Sequence, residues 1–207
     1  MKALIIIDLQ NDFIPGGSLA VPNGDEIVDV INKLQHKFDL VIATQDWHPE
    51  NHSSFAKNHD GAKEFEIIDL NGLNQVLWPV HCVQSTHGAK FHPDLEVTKI
   101  ETIFRKGTNP ALDSYSGFFD NAHLKSTGLQ GYLKDKGVTE VYFCGLAAEF
   151  CVFYSIKDAV ESGFSAYLIE DATRALDTTE FLRAKSIILE MRGRIIDSSE
   201  ILNADFQ

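Results

Sequence analysis

Cysteine is scarce in this chain of 207 residues, which has only Cys82, Cys144 and Cys151. They form neither an even set nor a Cys-x-x-Cys pair, so a disulfide framework is not expected and reduced thiols in the cytoplasm are. Basic residues are outnumbered 18 to 30 by acidic ones, a formal charge of −12. That leaves no basic stripe for phosphates and makes nucleic acid and anionic membranes poor partners. The substrate is expected to be small and not strongly anionic. No apolar run approaches the length of a membrane span, and Met1 leads directly into a strand rather than into a cationic, apolar and cleavage-site succession. Internal repeats, low-complexity segments and charge blocks are also missing. The length suits one domain over residues 1–207, with a core large enough to be stable without staples.

The sequence does have an apolar run that ends in an acid, Lys2-Ala3-Leu4-Ile5-Ile6-Ile7-Asp8. A continuous Leu/Ile stretch reads as a buried parallel strand, and its end delivers Asp8 to the carboxyl edge of a sheet, where α/β enzymes keep their chemistry. Two further strands end in reactive residues. Ile100–Arg105 runs into Lys106-Gly107, and Glu140–Gly145 leads through Leu146-Ala147-Ala148-Glu149-Phe150 into Cys151.

Around these ends, Asn23-Gly24-Asp25-Glu26 reads as a capping-box variant opening a helix whose face is Ile27, Val30, Ile31 and Leu34. A second strand spans 39–44. The stretch 45–99 is His-rich and poorly periodic, which predicts loops with short helical pieces, and a connection of that length is usually functional. Helices are predicted over about 126–136, from 149 to Gly163, and finally over 178–192, with strands at 165–169 and 194–196. Strand and helix alternate, implying a mostly parallel sheet covered on both faces; in the doubly wound order 3-2-1-4-5-6, Asp8 and Cys151 flank the switch point.

Each candidate has two readings. A helix start lowers a thiol's pKa and would make Cys151 a nucleophile, yet Val152, Phe153, Ile156, Ala159 and Val160 give it the setting of a core cysteine. Asp8 could cap a turn or accept the thiol proton, and Lys106-Gly107 could be a solvated turn or hold developing charge. Cys144 and Cys82 read as packing residues. Asp46-Trp47-His48-Pro49 and Trp78-Pro79-Val80-His81-Cys82, with His52, offer ligands for Zn²⁺, Fe²⁺ or Mn²⁺. Histidine is common in this chain, however, and each could be an ordinary surface or core residue.

The motifs Ile7-Asp8-Leu9-Gln10-Asn11-Asp12-Phe13, Gln45-Asp46-Trp47-His48-Pro49, Trp78–Val83, Lys106-Gly107 and Gly145-Leu146-Ala147-x-x-x-Cys151-Val152 occur in order across most of the chain. Together they resemble the nicotinamidase branch of the isochorismatase-like cysteine hydrolases. The resemblance implies a three-layer α/β/α fold with a six-stranded sheet. It also implies hydrolysis of nicotinamide to nicotinate and ammonia in NAD salvage, with pyrazinamide as a surrogate substrate. Asp8, Lys106 and Cys151 would be the triad. Ala147 and Cys151 would supply oxyanion N–H groups beside a cis Leu146–Ala147 peptide. Asp46, His48 and His81 would hold one divalent ion, Zn²⁺ first with Fe²⁺ or Mn²⁺ as alternatives, and Phe13, Trp78 and Tyr115 would line a pyridine pocket. A homo-oligomer is compatible with this reading. The chain departs from the usual Thr-Asp-Tyr or Thr-Asp-His before the cysteine by carrying Ala148-Glu149-Phe150, and His52 is left without a role. A hydrolase acting on isochorismate or an N-carbamoyl amide, and an inactive copy used as a binding module, are the rival readings.

Overall fold

A computed structural model of the chain describes residues 1–70 and 72–203. Its strands are β1 (Lys2–Ile7), β2 (Leu40–Asp46), β3 (Ile67–Leu70), β4 (Leu73–Val76), β5 (Ile100–Lys106), β6 (Glu140–Gly145), β7 (Ser165–Thr173) and β8 (Arg194–Ile196). Its helices are α1 (Val28–Gln35), α2 (Leu129–Asp135), α3 (Phe153–Glu161), α4 (Thr178–Glu190) and α5 (Ser198–Leu202).

Six strands form one parallel sheet in the order β5-β2-β1-β6-β7-β8. Numbered along the chain within that sheet, this is the doubly wound order 3-2-1-4-5-6. β1 and β2 are interior strands buried on both faces, which is why they read as continuous apolar runs rather than alternating ones. Leu4, Ile6, Val41, Ala43, Tyr142 and Cys144 face one core, where Ile31 and Leu34 of α1 and Ile201 of α5 cover them. Ala3, Ile5, Ile7, Ile42 and Phe143 face the other, beneath Leu133 of α2, Ile156 of α3 and Ile188 of α4. Three layers result from this period-2 alternation. Among the described residues, no helix is long and apolar enough to cross a membrane.

Several local expectations are corrected. Asn23 adopts a left-handed conformation with φ 57° and caps nothing through its side chain; a tight turn over Gly24–Ile27 precedes α1 instead. The stretch 45–99 holds an antiparallel hairpin, β3 with β4, as well as loops. The dipeptide Asn-Gly at 71–72 of the sequence is the turn signal that would have found it, and Gly72 has φ 84°. The helix predicted over about 126–136 begins only at Leu129, and the chain between Ala148 and Val152 forms a wide turn of π type before α3. α4 is not the last helix, because Asp197 opens α5 with a complete capping box to Glu200.

Candidate active site

Register brings the reactive residues together. Asp46 pairs with Lys106 at the ends of β2 and β5, and Ile7 pairs with Gly145, which sets Asp8 beside the turn leading to Cys151. Since the spatial order is β5-β2-β1-β6, the side chains line up as Lys106, Asp46, Asp8 and Cys151 along one sheet edge. All four are buried.

Lys106 is the hub. Its Nζ lies 2.8 Å from Asp8 Oδ2 and 2.6 Å from Asp46 Oδ1, donates to Ser114 O at 3.0 Å, and lies 3.3 Å from Cys151 Sγ. The acid oxygens of Asp8 and Asp46 and the Cys151 sulfur all fall within 4.8 Å of one another, close enough for one water to bridge any pair. Leu146–Ala147 is a cis peptide.

The electrostatics differ from the helix-start expectation. Burial pushes the Cys151 thiol well above its ordinary range, and the charges of Asp8 and Asp46 push the same way against Lys106. Cys151 lies within the wide turn that precedes α3, and burial and the two carboxylates there favour its protonated form. Asp8 is also raised by burial, although Lys106 and Thr44 oppose that. Burial works to raise Asp46 too, but Lys106 and His48 overrule it and hold the carboxyl well below its usual range. Lys106 is held charged, because Asp46 and Asp8 outweigh the burial that would discharge it. Cys82 and Cys144 are buried packing residues, as expected, and burial raises both thiols.

Asp46 faces a second cluster with its other oxygen. His48 Nε2 and His81 Nε2 lie 3.2 and 3.5 Å from Asp46 Oδ2. The opposite ring nitrogens are tied to carbonyls, His48 Nδ1 to Gly107 O at 3.0 Å and His81 Nδ1 to Pro79 O at 2.8 Å. Protons on the two Nδ1 atoms leave both Nε2 lone pairs directed at a carboxylate. That is the donor set a divalent cation satisfies, with carbonyl partners fixing the tautomers. Gly107 allows the approach: at φ 64°, a Cβ there would stand 2.4 Å from His48 Cε1. His52 is buried 4.3 Å from His48 between ring centroids, and burial together with His48 lowers it to about 4. Its Nε2 has no hydrogen-bond partner among the described residues.

The two clusters open onto one pocket. The expected residues Phe13, Trp78 and Tyr115 line it with Asp46, His81, Ala147 and Cys151. Leu19, Asp113, Phe150 and Leu176 complete the wall, and of these only Phe150, in the departure before Cys151, is marked by the sequence. Phe150 meets Trp78 edge-on at 4.9 Å and Tyr115 at 5.6 Å, so the departure from the usual motif adds an aromatic wall.

Residues 2–198 match the isochorismatase domain model. The chain belongs to the isochorismatase family. Within that family it is 49% identical over 175 residues to a nicotinamidase of Acinetobacter baylyi, a match covering 84% of this chain and 82% of that one. Among solved structures it resembles a nicotinamidase/pyrazinamidase of Acinetobacter baumanii at a TM-score of 0.95 and 46% identity, over 97% of this chain and 98% of that one. It also resembles a pyrazinamidase of Pyrococcus horikoshii in complex with zinc, at a TM-score of 0.79 and 38% identity over 95% and 98%.

Proposed function

We propose that the protein hydrolyses nicotinamide to nicotinate and ammonia, accepts pyrazinamide, and so serves NAD salvage, with residues 1–207 acting as a single catalytic domain. The observation that carries this reading is the chain of contacts from Asp8 through Lys106 to Cys151, which lines an aromatic pocket. A buried lysine, acid and thiol at one edge have no use in a scaffold. The aromatic walls suit a flat ring, and the related nicotinamidases supply the substrate class.

The protonated thiol and the raised carboxyl define how the reaction starts. As Cys151 Sγ attacks the carboxamide carbon, Asp8 accepts the thiol proton. Negative charge thus passes from Asp8 through the attacking sulfur to the carboxamide oxygen, and Lys106, which contacts both Asp8 and Cys151, stabilises the first of these positions. Electrons displaced from the C=O bond go to its oxygen, received by the backbone N–H groups of Ala147 and Cys151. Collapse breaks the C–N bond, and Asp8 returns its proton to the departing ammonia. Water then gives a proton to Asp8 and attacks the thioester; the C–S bond breaks and Asp8 passes that proton to the departing Cys151 sulfur, restoring the thiol and the carboxylate. Asp46, His48 and His81 would hold a divalent ion, with zinc suggested by the Pyrococcus horikoshii relative. When bound, it would supply a Lewis-acid anchor for the ring nitrogen.

Ammonia release from nicotinamide, pyrazinamide, an N-carbamoyl amide and isochorismate, the last read by its own product, tests the assignment. Turnover of the first two with little of the others is the expected result. Turnover of only the last two would replace this reading with a broader hydrolase, and turnover of none would point to a binding module.

A further inference from the structure

Asp113 is a buried carboxylate that the mechanism above does not use. It lies on the pocket wall, and one of its oxygens is within 4.8 Å of a ring nitrogen of His48 and one of His52. Ser114 N–H donates to its Oδ1 at 2.8 Å and Gln75 Nε2 to its Oδ2 at 3.0 Å. Gln75 is itself buried on β4, so the hairpin holds the carboxylate in place. Among the described residues, no lysine or arginine pairs with Asp113. Its charge therefore acts on the pocket rather than on a partner. The neighbouring Tyr115 phenol is raised well above its ordinary range by burial and next by Asp113.

The charges around the pocket give this a consequence. Asp8, Asp46 and Asp113 bring three carboxylates to this region, and among the described residues Lys106 is the only lysine or arginine that pairs with any of them, contacting Asp8 and Asp46. A divalent ion on Asp46, His48 and His81 would bring the site to neutrality, and without one it is doubly negative. Removing Asp113 adds one positive charge in either case. Substrate and product differ at this point, because the carboxamide is neutral and the carboxylate is not. Inside a buried pocket a charge difference of one unit is weakly screened.

We propose that Asp113 is a specificity-determining residue that disfavours the anionic product, so that the pocket binds neutral aryl amides and releases aryl carboxylates. The proposal rests on the amidohydrolase reading for its substrate and on the geometry of Asp113 for its sign.

The test compares metal-loaded wild type, Asp113→Asn and Asp113→Glu for nicotinate binding by calorimetry and for the KM of nicotinamide. In Asp113→Asn the ratio of nicotinate Kd to nicotinamide KM should fall about tenfold, about 1.4 kcal/mol of selectivity. Asp113→Glu, which keeps the charge, should stay near the wild-type ratio. An unchanged ratio in Asp113→Asn, or an equal weakening of both ligands in both variants, would overturn the proposal and leave Asp113 a structural support. Calorimetry needs no turnover. A wild type that does not hydrolyse nicotinamide would therefore sink the amidohydrolase reading, while the nicotinate comparison would still decide the role of Asp113.

Discussion

Thr44 Oγ1 donates a 2.6 Å hydrogen bond to Asp8 Oδ1, and the same hydroxyl accepts from the Asp8 N–H at 3.2 Å. Asp8 has a positive φ of 44°, uncommon for a non-glycine residue. The hydroxyl on β2 thus fixes both backbone and side chain of a residue just past β1. With Oδ1 held, Oδ2 is left facing Lys106. The bond also favours the ionised form of Asp8, against the burial that raises its pKa.

Thr44→Val should therefore act on the acid limb of the pH–rate profile. Asp8 must be ionised to accept the thiol proton, so activity is lost as pH falls through its pKa. Removing a bond that favours the anion raises that pKa and moves the limb to higher pH. A loss of about 1.5–3 kcal/mol of charge-assisted hydrogen bonding corresponds to roughly ten- to hundredfold in kcat/KM. An unshifted limb measured over nicotinamide hydrolysis would reassign the base.

Asp8→Asn keeps the size and removes the acceptor. Turnover should fall by about a hundredfold to ten-thousandfold, the range of positioned acid–base catalysis. Activity within a few-fold of wild type would remove Asp8 from the mechanism.

Much of this arrangement can be read along the chain. β1 and β2 are interior strands, so their buried faces write themselves as unbroken apolar runs, and a strand that ends in Asp8, Asp46 or Lys106 announces its edge. The protonation state of Cys151 cannot be read that way. A helix start is visible in sequence, whereas the opposing burial and the charges of Asp8 and Asp46 come from separate strands. Asp113 is hidden for a similar reason. It lies in an aperiodic loop, and its partner Gln75 lies 38 residues away on a hairpin of two four-residue strands. The Asn71-Gly72 signal for that hairpin was present, but strands so short show little period-2 pattern.

The resting thiol gives a prediction about reactivity. Iodoacetamide should modify Cys151 slowly at neutral pH and faster as pH rises, because burial holds the thiol well above its ordinary range. Peptide mapping of the labelled protein reads this directly. Rapid labelling at pH 7 would indicate a resting thiolate. Cys144→Ala and Cys82→Ala, both core positions, should lower thermal stability while leaving ammonia release near wild type.

Gly107→Ala should weaken the proposed metal site. The added Cβ would stand 2.4 Å from His48 Cε1, at a φ of 64° that already strains an alanine. Losing the support that orients a ligating histidine typically costs ten- to hundredfold in metal affinity. Competition with a chelator, read by elemental analysis, should show that loss while circular dichroism stays unchanged. Stoichiometric zinc, iron or manganese in the wild type, removable and restorable, is the accompanying expectation. Wild-type affinity in the glycine variant would detach His48 from metal binding.

The central claim is that Cys151 forms a thioester with the substrate's acyl group. Rapid acid quench of the protein turning over nicotinamide, followed by mass spectrometry of its peptides, tests it most directly. The mechanism predicts a nicotinoyl group on the peptide carrying Cys151, formed and lost at rates that match nicotinate production, and no ammonia release by Cys151→Ala. Full turnover with Cys151 unmodified at every quench time, together with an active Cys151→Ala protein, would contradict it.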